Sequence, residues 1–320
     1  MGEYLINMKK LKNIPSVQVL LSTYNGEKYI EKQVKSIINQ KNVKVSILIR
    51  DDGSTDNTIQ KLEVLKCMYP KTIKFYSGEN CGYKKSFIDL VHQSSISFDY
   101  YAFADQDDYW LSNKLEVAIS KIKLRKNKYK LYASTVIISD NNAVPLYKKD
   151  ISDFVPGFIS VMTRVRLAGC TMVFNKELLR LYKEIDFSKK YIKKLPSHDG
   201  FLMEMCTAVN GYVFVDDNSY IYHRRLTNSV TGGGNGLRKR IMNEYQRTFK
   251  DIFESSSVAE ILKNQIPQKI SPKNLEFIDK VIEYRSSLMK TFVFATDSSI
   301  NCGIRVANLE TRLKILLRRF

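Results

Sequence analysis

Neither glycine-rich phosphate loop, G-x-G-x-x-G or G-x-x-x-x-G-K-[ST], occurs in the 320 residues. A dinucleotide fingerprint and a P-loop are thereby excluded. Apolar runs of about eighteen residues are also missing, so no transmembrane helix is expected. Cys67, Cys81, Cys170, Cys206 and Cys302 are scattered, odd in number and without a C-x-x-C pair. They read as reduced thiols of a cytoplasmic protein, not as a disulfide framework or zinc ribbon. Met1 to Pro15 carries Lys9, Lys10 and Lys12 with no signal-like apolar region behind them. Acid is scarce relative to base: 33 Asp and Glu face 51 Lys and Arg, a net charge of +18. Nucleic acid, an anionic membrane surface or a polyanionic substrate would each suit that balance.

The scarce acid is concentrated. The apolar run Tyr100 to Ala104 reads as a buried strand and stops on Asp105-Gln106-Asp107-Asp108. In an open α/β sheet, ligands bind at the carboxyl ends of strands. If the backbone stays extended, Asp105 and Asp107 point to one side. Two such oxygen ligands suit Mg²⁺ or Mn²⁺, which would neutralise a diphosphate. An acidic turn after a strand is the plainer alternative.

The preceding chain alternates strand and helix: Val17 to Thr23, a helix carrying Ile30, Val34 and Ile37, then Val45 to Arg50. A helix with Ile59, Leu62 and Leu65, strand Thr72 to Tyr76 and a helix with Phe87, Leu90 and Val91 follow. This is the pattern of a largely parallel sheet with right-handed crossovers. Asn25 and Ser112 are expected to cap helices. Polar residues gather at three strand ends, Thr23-Tyr24-Asn25, Asp51-Asp52 and Asp105 to Asp108, and the topology brings them to one edge.

Further on, Leu131 to Ser139, Gly169 to Asn175 and Gly211 to Asp216 are expected strands, and Asp140 to Val165 an irregular loop. His198-Asp199 opens a helix, where a carboxylate in the first turn suits the dipole. Tyr109 and Trp110 are candidates to stack on a sugar, with core packing the alternative. Thr231 to Gly234 is a flexible joint, beyond which the chain is helical and basic.

Together, Ser22-Thr23-Tyr24-Asn25-Gly26, Asp51-Asp52-Gly53-Ser54-Thr55-Asp56, Asn80-Cys81-Gly82 and Asp105-Gln106-Asp107-Asp108 resemble the family 2 glycosyltransferases. Asp-Gln-Asp-Asp-x-Trp with Lys114 downstream is similar to the bacterial rhamnosyltransferase-like branch. The resemblance runs from about Val17 to Gly232. It implies a GT-A-type α/β fold, a mixed sheet flanked by helices, over residues 1–232, and a basic helical extension over 233–320. Residues 17–108 would bind the nucleotide sugar and 109–232 the acceptor.

The resemblance further implies an inverting transfer from a nucleoside-diphosphate donor, dTDP-rhamnose or a UDP-hexose, with Mn²⁺ or Mg²⁺. The acceptor would be a glycan or lipid-linked saccharide of bacterial surface polysaccharide synthesis. Thr23, Tyr24, Asn25, Asp51, Asp52, Asp105 and Gln106 would line the donor, and Asp107 would bind the metal. Asp199 falls at the general base. Gly169, Cys170 and Thr171, with His198 and Trp110, would lie on the acceptor side. Where the branch often reads Tyr-Arg-Gln-His, this chain has Tyr222-His223-Arg224-Arg225. Either His223 contacts metal or diphosphate, or Arg224 and Arg225 stabilise the leaving group, or the stretch is a plain basic loop.

One carboxylate remote from the donor cluster favours transfer over hydrolysis, which uses two flanking the bond. A nucleotidyltransferase is the nearer rival, but Ser22 to Gly26 is not glycine-rich and basic. A nucleic-acid-binding protein ranks behind it, since no recognition helix, zinc pattern or RNP-like signature appears. The basic extension is expected to associate peripherally with an anionic membrane face.

Overall fold

The computed structural model describes residues 14–151, 154–163, 167–225 and 254–320. The glycine joint at Thr231 to Gly234 and the 232/233 boundary lie outside the described residues. Strands β1 (Ser16–Thr23), β2 (Lys44–Asp51), β3 (Ile73–Ser77) and β4 (Tyr100–Asp105) are parallel. They alternate with helices α1 (Ile30–Ile38), α2 (Thr58–Met68) and α3 (Tyr83–Gln93). Pairing places Thr23 beside Asp51 and Ser22 beside Asp105, so the polar ends of three strands stand abreast.

The chain continues through β5 (Tyr109–Trp110), α4 (Lys114–Ile122), β6 (Lys130–Ser134), β7 (Ile137–Ser139) and β8 (Pro145–Lys148). After α5 (Phe158–Thr163), a 3₁₀ turn at Gly169–Thr171 leads into β9 (Val173–Asn175). Then come α6 (Lys176–Lys183), α7 (His198–Ala208), β10 (Tyr212–Asp216) and β11 (Ile221–Arg224). The main sheet has the order β10-β6-β9-β4-β1-β2-β3, with β9 antiparallel to both neighbours. A second sheet, β5-β11-β7-β8, brings His223 and Arg224 of β11 to the acidic turn after β4.

Strand alternation sorts the core onto two faces. Leu20, Tyr101 and Phe103 point into one cluster, while Val19, Leu21, Ala102 and Ala104 point into the other. Helices α8 (Glu254–Gln265), α9 (Pro272–Glu283), α10 (Leu288–Thr296) and α11 (Arg305–Leu316) join the first cluster through Ile261, Phe277, Phe294 and Ile315. The described part of the basic extension thus shares its core with the sheet.

Several local expectations are corrected. Strand β4 ends at Asp105 and the chain turns at Gln106-Asp107, so the alternation assumed for Asp105 and Asp107 does not apply. The expected strand from Leu131 to Ser139 breaks after Ser134 and contributes to both sheets. Only the second half of Gly169 to Asn175 is extended, and the loop after Asp140 holds β8 and α5. Asn25 does not cap α1. It adopts φ 49°, and its side-chain carbonyl accepts the Thr55 amide at 2.8 Å, tying two strand ends together. Helix α4 is preceded by Asn113 rather than Ser112, with no side-chain cap.

Candidate active site

At the end of β2, both carboxylates are occupied by the protein. Asp51 accepts the Ser54 hydroxyl and the Gly53 and Ser54 amides, the latter two at 3.2 and 3.0 Å. Asp52 accepts the Arg50 guanidinium and the amides of Cys81 and Gly82, at 3.0 and 2.9 Å. Burial alone would raise its pKa, but the Cys81 amide and Arg50 hold it below the usual carboxylate range. Asp52 therefore joins the Asp-Asp-Gly-Ser and Asn-Cys-Gly segments. Gln106 does the same for β1 and β4: its Oε1 accepts the Tyr24 amide at 2.8 Å and the Thr23 hydroxyl, and its Nε2 donates to the Tyr24 carbonyl at 3.0 Å.

At the end of β4 the situation is different. Asp105, Asp108, Cys170 and His223 each offer a ligand atom, all within 4.8 Å of one another. Asp108 is fully buried, one oxygen 2.8 Å from His223 Nδ1 and the other without a hydrogen-bond partner. Burial, then the carboxylates of Asp108 and Asp107, push Asp105 well up. Burial and Asp108 push Asp107 to about 6. Asp108 draws His223 above the ordinary imidazole range against the effect of burial. Crowded, desolvated carboxylates with an orphaned oxygen fit a divalent cation. Burial, then Asp108 and Asp105, raise the Cys170 thiol, and its soft sulfur suits Mg²⁺ or Mn²⁺ less well than carboxylate or imidazole does. The fitting donors are Asp105, Asp108 and His223. Asp107 is half-buried beside this group and not a member of it.

Arg224 is buried, and its Nε and Nη1 donate to main-chain carbonyls: Nη1 to Asp107 and to Asp108 at 3.2 Å, Nε to Asn141 at 3.1 Å. It braces the acidic turn from behind. The Arg225 guanidinium lies 5.9 Å from the Tyr147 ring centroid on β8.

Asp199 begins α7, whose N-cap Ser197 accepts the Gly200 amide at 3.2 Å. Its Oδ2 accepts the Gly169 amide at 3.0 Å and its Oδ1 the Gly200 amide at 2.8 Å. The next residue after Gly169, Cys170, has its sulfur 3.9 Å from His223 Nδ1. The remote carboxylate and the donor-side group are thus joined through one tight turn. A Cβ at Gly169 would lie 2.9 Å from both Asp199 Cβ and His198 Nε2, so the approach requires glycine. Thr171 is turned inward, its hydroxyl donating to Ala168 at 2.7 Å.

Two residues expected on the acceptor side are core. The buried His198 ring stacks on Phe87 at 3.8 Å and meets Phe103 edge-on at 4.7 Å. Burial lowers its pKa to about 4, which keeps it neutral. Trp110 is 1% exposed and lies under the Lys114 ammonium, 3.6 Å from its centroid, so its face is closed to a sugar. Tyr109 is exposed and stacks on Tyr222 across β5 and β11. Asp108 is the residue the sequence reading left without a role. The signal available was the third carboxylate of the cluster together with a histidine on a distant strand.

The family model "Glycosyl transferase family 2" matches residues 18–202. The chain is 34% identical over 218 residues to the dTDP-rhamnosyl transferase RfbG of Shigella flexneri, covering 66% of this chain and 73% of that one. It is 30% identical over 129 residues to the Escherichia coli UDP-Glc:alpha-D-GlcNAc-diphosphoundecaprenol beta-1,3-glucosyltransferase WfgD, covering 40% and 49%. Two solved structures share the fold. S. aureus TarS in complex with UDP-GlcNAc has a TM-score of 0.51 at 17% identity over 94% of this chain and 90% of that one. The mannosyltransferase PcManGT of Pyrobaculum calidifontis, in complex with GDP-Man and Mn2+, has a TM-score of 0.51 at 14% identity over 99% and 93%.

Proposed function

Since the chain belongs to glycosyltransferase family 2 and is a glycosyltransferase, we propose that it moves a sugar from a nucleoside diphosphate to a saccharide hydroxyl with inversion. The observation that carries this reading is the Asp199–Gly169 hydrogen bond, which fixes one carboxylate next to the turn bearing Cys170. Asp199 is partly exposed, and each of its oxygens keeps a lone pair beyond the amide it accepts. It takes the proton of the acceptor hydroxyl as that oxygen bonds to the anomeric carbon. The bond from that carbon to the diphosphate breaks on the opposite face, and the diphosphate leaves with the electron pair. One base and no enzyme nucleophile suffice.

A divalent cation held by Asp105, Asp108 and His223 would supply charge neutralisation for the diphosphate. Mn²⁺ suits two carboxylates and an imidazole, and the manganese in the PcManGT complex supports that choice. The nucleoside would lie over Thr23, Tyr24 and Asn25, with Asp51 and Asp52 shaping the floor and Gln106 holding the loop. A dTDP-rhamnose donor is favoured by the likeness to RfbG. A lipid-linked acceptor in polysaccharide synthesis is favoured by the diphosphoundecaprenol in the name of WfgD.

Asp199→Asn keeps the shape and removes the base, and its single carbonyl oxygen retains one of the two amide hydrogen bonds. It is expected to be protected from thermal unfolding by dTDP-rhamnose and Mn²⁺ as the wild type is, while transfer falls by roughly 10²–10⁴-fold. Wild-type turnover in that variant, or retention of the donor's anomeric configuration, would overturn the proposal.

A further inference from the structure

Helices α10 and α11 carry an apolar face that the fold leaves uncovered. On α10 the inward residues are Thr291, Phe294 and Ala295. Leu288, Met289, Phe292 and Val293 recur at helical spacing on the outside and are 59% to 78% exposed. On α11 the inward residues are Ala307, Thr311 and Ile315. Val306, Leu309, Leu313, Leu316 and Leu317 form the outer stripe, 41% to 69% exposed. The helices pack on each other, and Arg312 staples them by donating to the carbonyls of Ala295 and of Asp297, the latter at 2.9 Å. The two stripes therefore belong to one rigid element. Scattered exposed leucines need no explanation, but nine large apolar side chains on two joined helices do.

Charge identifies what covers them. From Leu288 to Phe320 six cations face two acids. Lys290 and Lys314 pair with Glu283 and Glu310 at 2.7 and 2.9 Å, Arg312 turns inward, and the surplus lies toward the ends of α11. Arg305 and Arg318, at the two ends of α11, are exposed. The whole chain carries +18, so two copies brought face to face would repel. An anionic lipid surface attracts the basic rim and accepts the apolar stripes, the combination that seats an amphipathic helix in a bilayer interface. None of the described helices is long and apolar enough to cross a membrane.

We propose that α10 and α11 form a membrane-docking face that inserts Leu288, Phe292, Leu309 and their neighbours into the headgroup region of an anionic bilayer. The face is tied to the acceptor side of the site. Thr311 donates to the Thr163 carbonyl of α5 at 3.5 Å, and α5 packs on α7, which begins with His198 and Asp199. The inference does not depend on the transfer reaction, but it would hold Asp199 at a set height above the lipid. Because apolar insertion contributes alongside charge, high salt weakens the binding without abolishing it.

The test is flotation of the 320-residue chain with vesicles of phosphatidylcholine alone and of phosphatidylcholine mixed with phosphatidylglycerol, at low and high salt. The wild type is expected to float with the mixed vesicles and to remain partly bound at high salt. The double variant Phe292→Asp, Leu309→Asp changes only exposed positions, and its partitioning is expected to fall by about tenfold or more. Thermal protection by dTDP-rhamnose and Mn²⁺, measured on both proteins, separates the two readings. Protection retained in the variant shows that its lost flotation is not unfolding. Wild-type flotation without protection in either protein would remove the donor assignment and leave the docking face standing, provided the variant still melts cooperatively at the wild-type temperature. Equal flotation of variant and wild type would overturn the inference, as would no flotation at any salt. So would a wild-type dimer that the variant dissolves, since a second copy would then cover the face.

Discussion

Two acidic strand ends lie one strand apart on the same sheet edge and are built in opposite ways. At β2, Asp51 and Asp52 receive amides, a hydroxyl and a guanidinium, and the environment of Asp52 favours its charged form. At β4, Asp105 and Asp107 are pushed toward their neutral forms, and Asp108 has a buried oxygen with no partner. The same side chain is satisfied by protein donors in one place and left short of them in the other. What separates them is the supply of donors. Beyond Asp52 the chain folds back and presents the Cys81 and Gly82 amides. Beyond Asp105 it turns tightly, Arg224 takes the carbonyls of that turn, and the carboxylates face one another.

Asparagine substitution at each end is expected to divide these roles. Asp108→Asn leaves His223 Nδ1 a carbonyl oxygen to donate to, so melting should change less than at Asp52. Transfer should fall by roughly 10²–10³-fold, the scale of losing one preorganised electrostatic contact to a leaving group. Wild-type transfer by Asp108→Asn in Mn²⁺ would remove Asp108 from the donor group. Asp52→Asn breaks the buried pair with Arg50 and is expected to cost about 3 kcal/mol of stability, read by denaturant unfolding. If Asp52→Asn unfolded like the wild type, the distinction between the two strand ends would collapse.

The sequence made the sheet legible because strand periodicity and crossover length are local properties: Val17 to Thr23 and Tyr100 to Ala104 each declare a strand. The convergence of Thr23, Asp51 and Asp105 followed from topology alone. What stayed illegible depended on contacts distant in sequence. Asp107 and Asp108 cannot be told apart without knowing that the strand stops at Asp105 and that His223 arrives from β11. For Trp110 the sequence leaves sugar stacking and core packing both open, and for His198 an acceptor contact is only what the resemblance implies. An aromatic ring beside a polar motif does not declare its burial. Only the packing of Phe87 and Phe103 on His198, and of Lys114 over Trp110, makes them core. For Arg224 the sequence leaves a leaving-group contact and a plain basic loop both open, because its charge is visible there and the three carbonyls it binds are not.

The smallest expected effect is also the most direct measure of the contrast. A group whose pKa is raised on folding holds its proton more tightly in the folded chain. Its contribution to stability is complete below the unfolded pKa and is lost as pH rises through the folded value. Asp107, raised to about 6, and Asp105, raised as well, therefore destabilise the metal-free protein as pH climbs from the ordinary aspartate range toward neutrality. His223, also raised, adds a loss of the same sign above the ordinary imidazole range. Asp52 works the other way: its pKa is lowered, so its contribution is intact throughout this window and is lost only as pH falls below the ordinary carboxylate range. In chelator, the melting temperature is thus expected to decline between about pH 5 and pH 8, by roughly 2–4 °C for each kcal/mol involved. Mn²⁺ should flatten the decline, because a cation bound to the ionised carboxylates stabilises the folded state most where they are charged. Asp107→Asn should lessen the slope below about pH 6 and leave the share that Asp105 contributes. Thermal melts across that range, with chelator and with Mn²⁺, decide the matter. A flat or rising profile in chelator, or one that Mn²⁺ leaves unchanged, would mean that the end of β4 is as well satisfied as the end of β2.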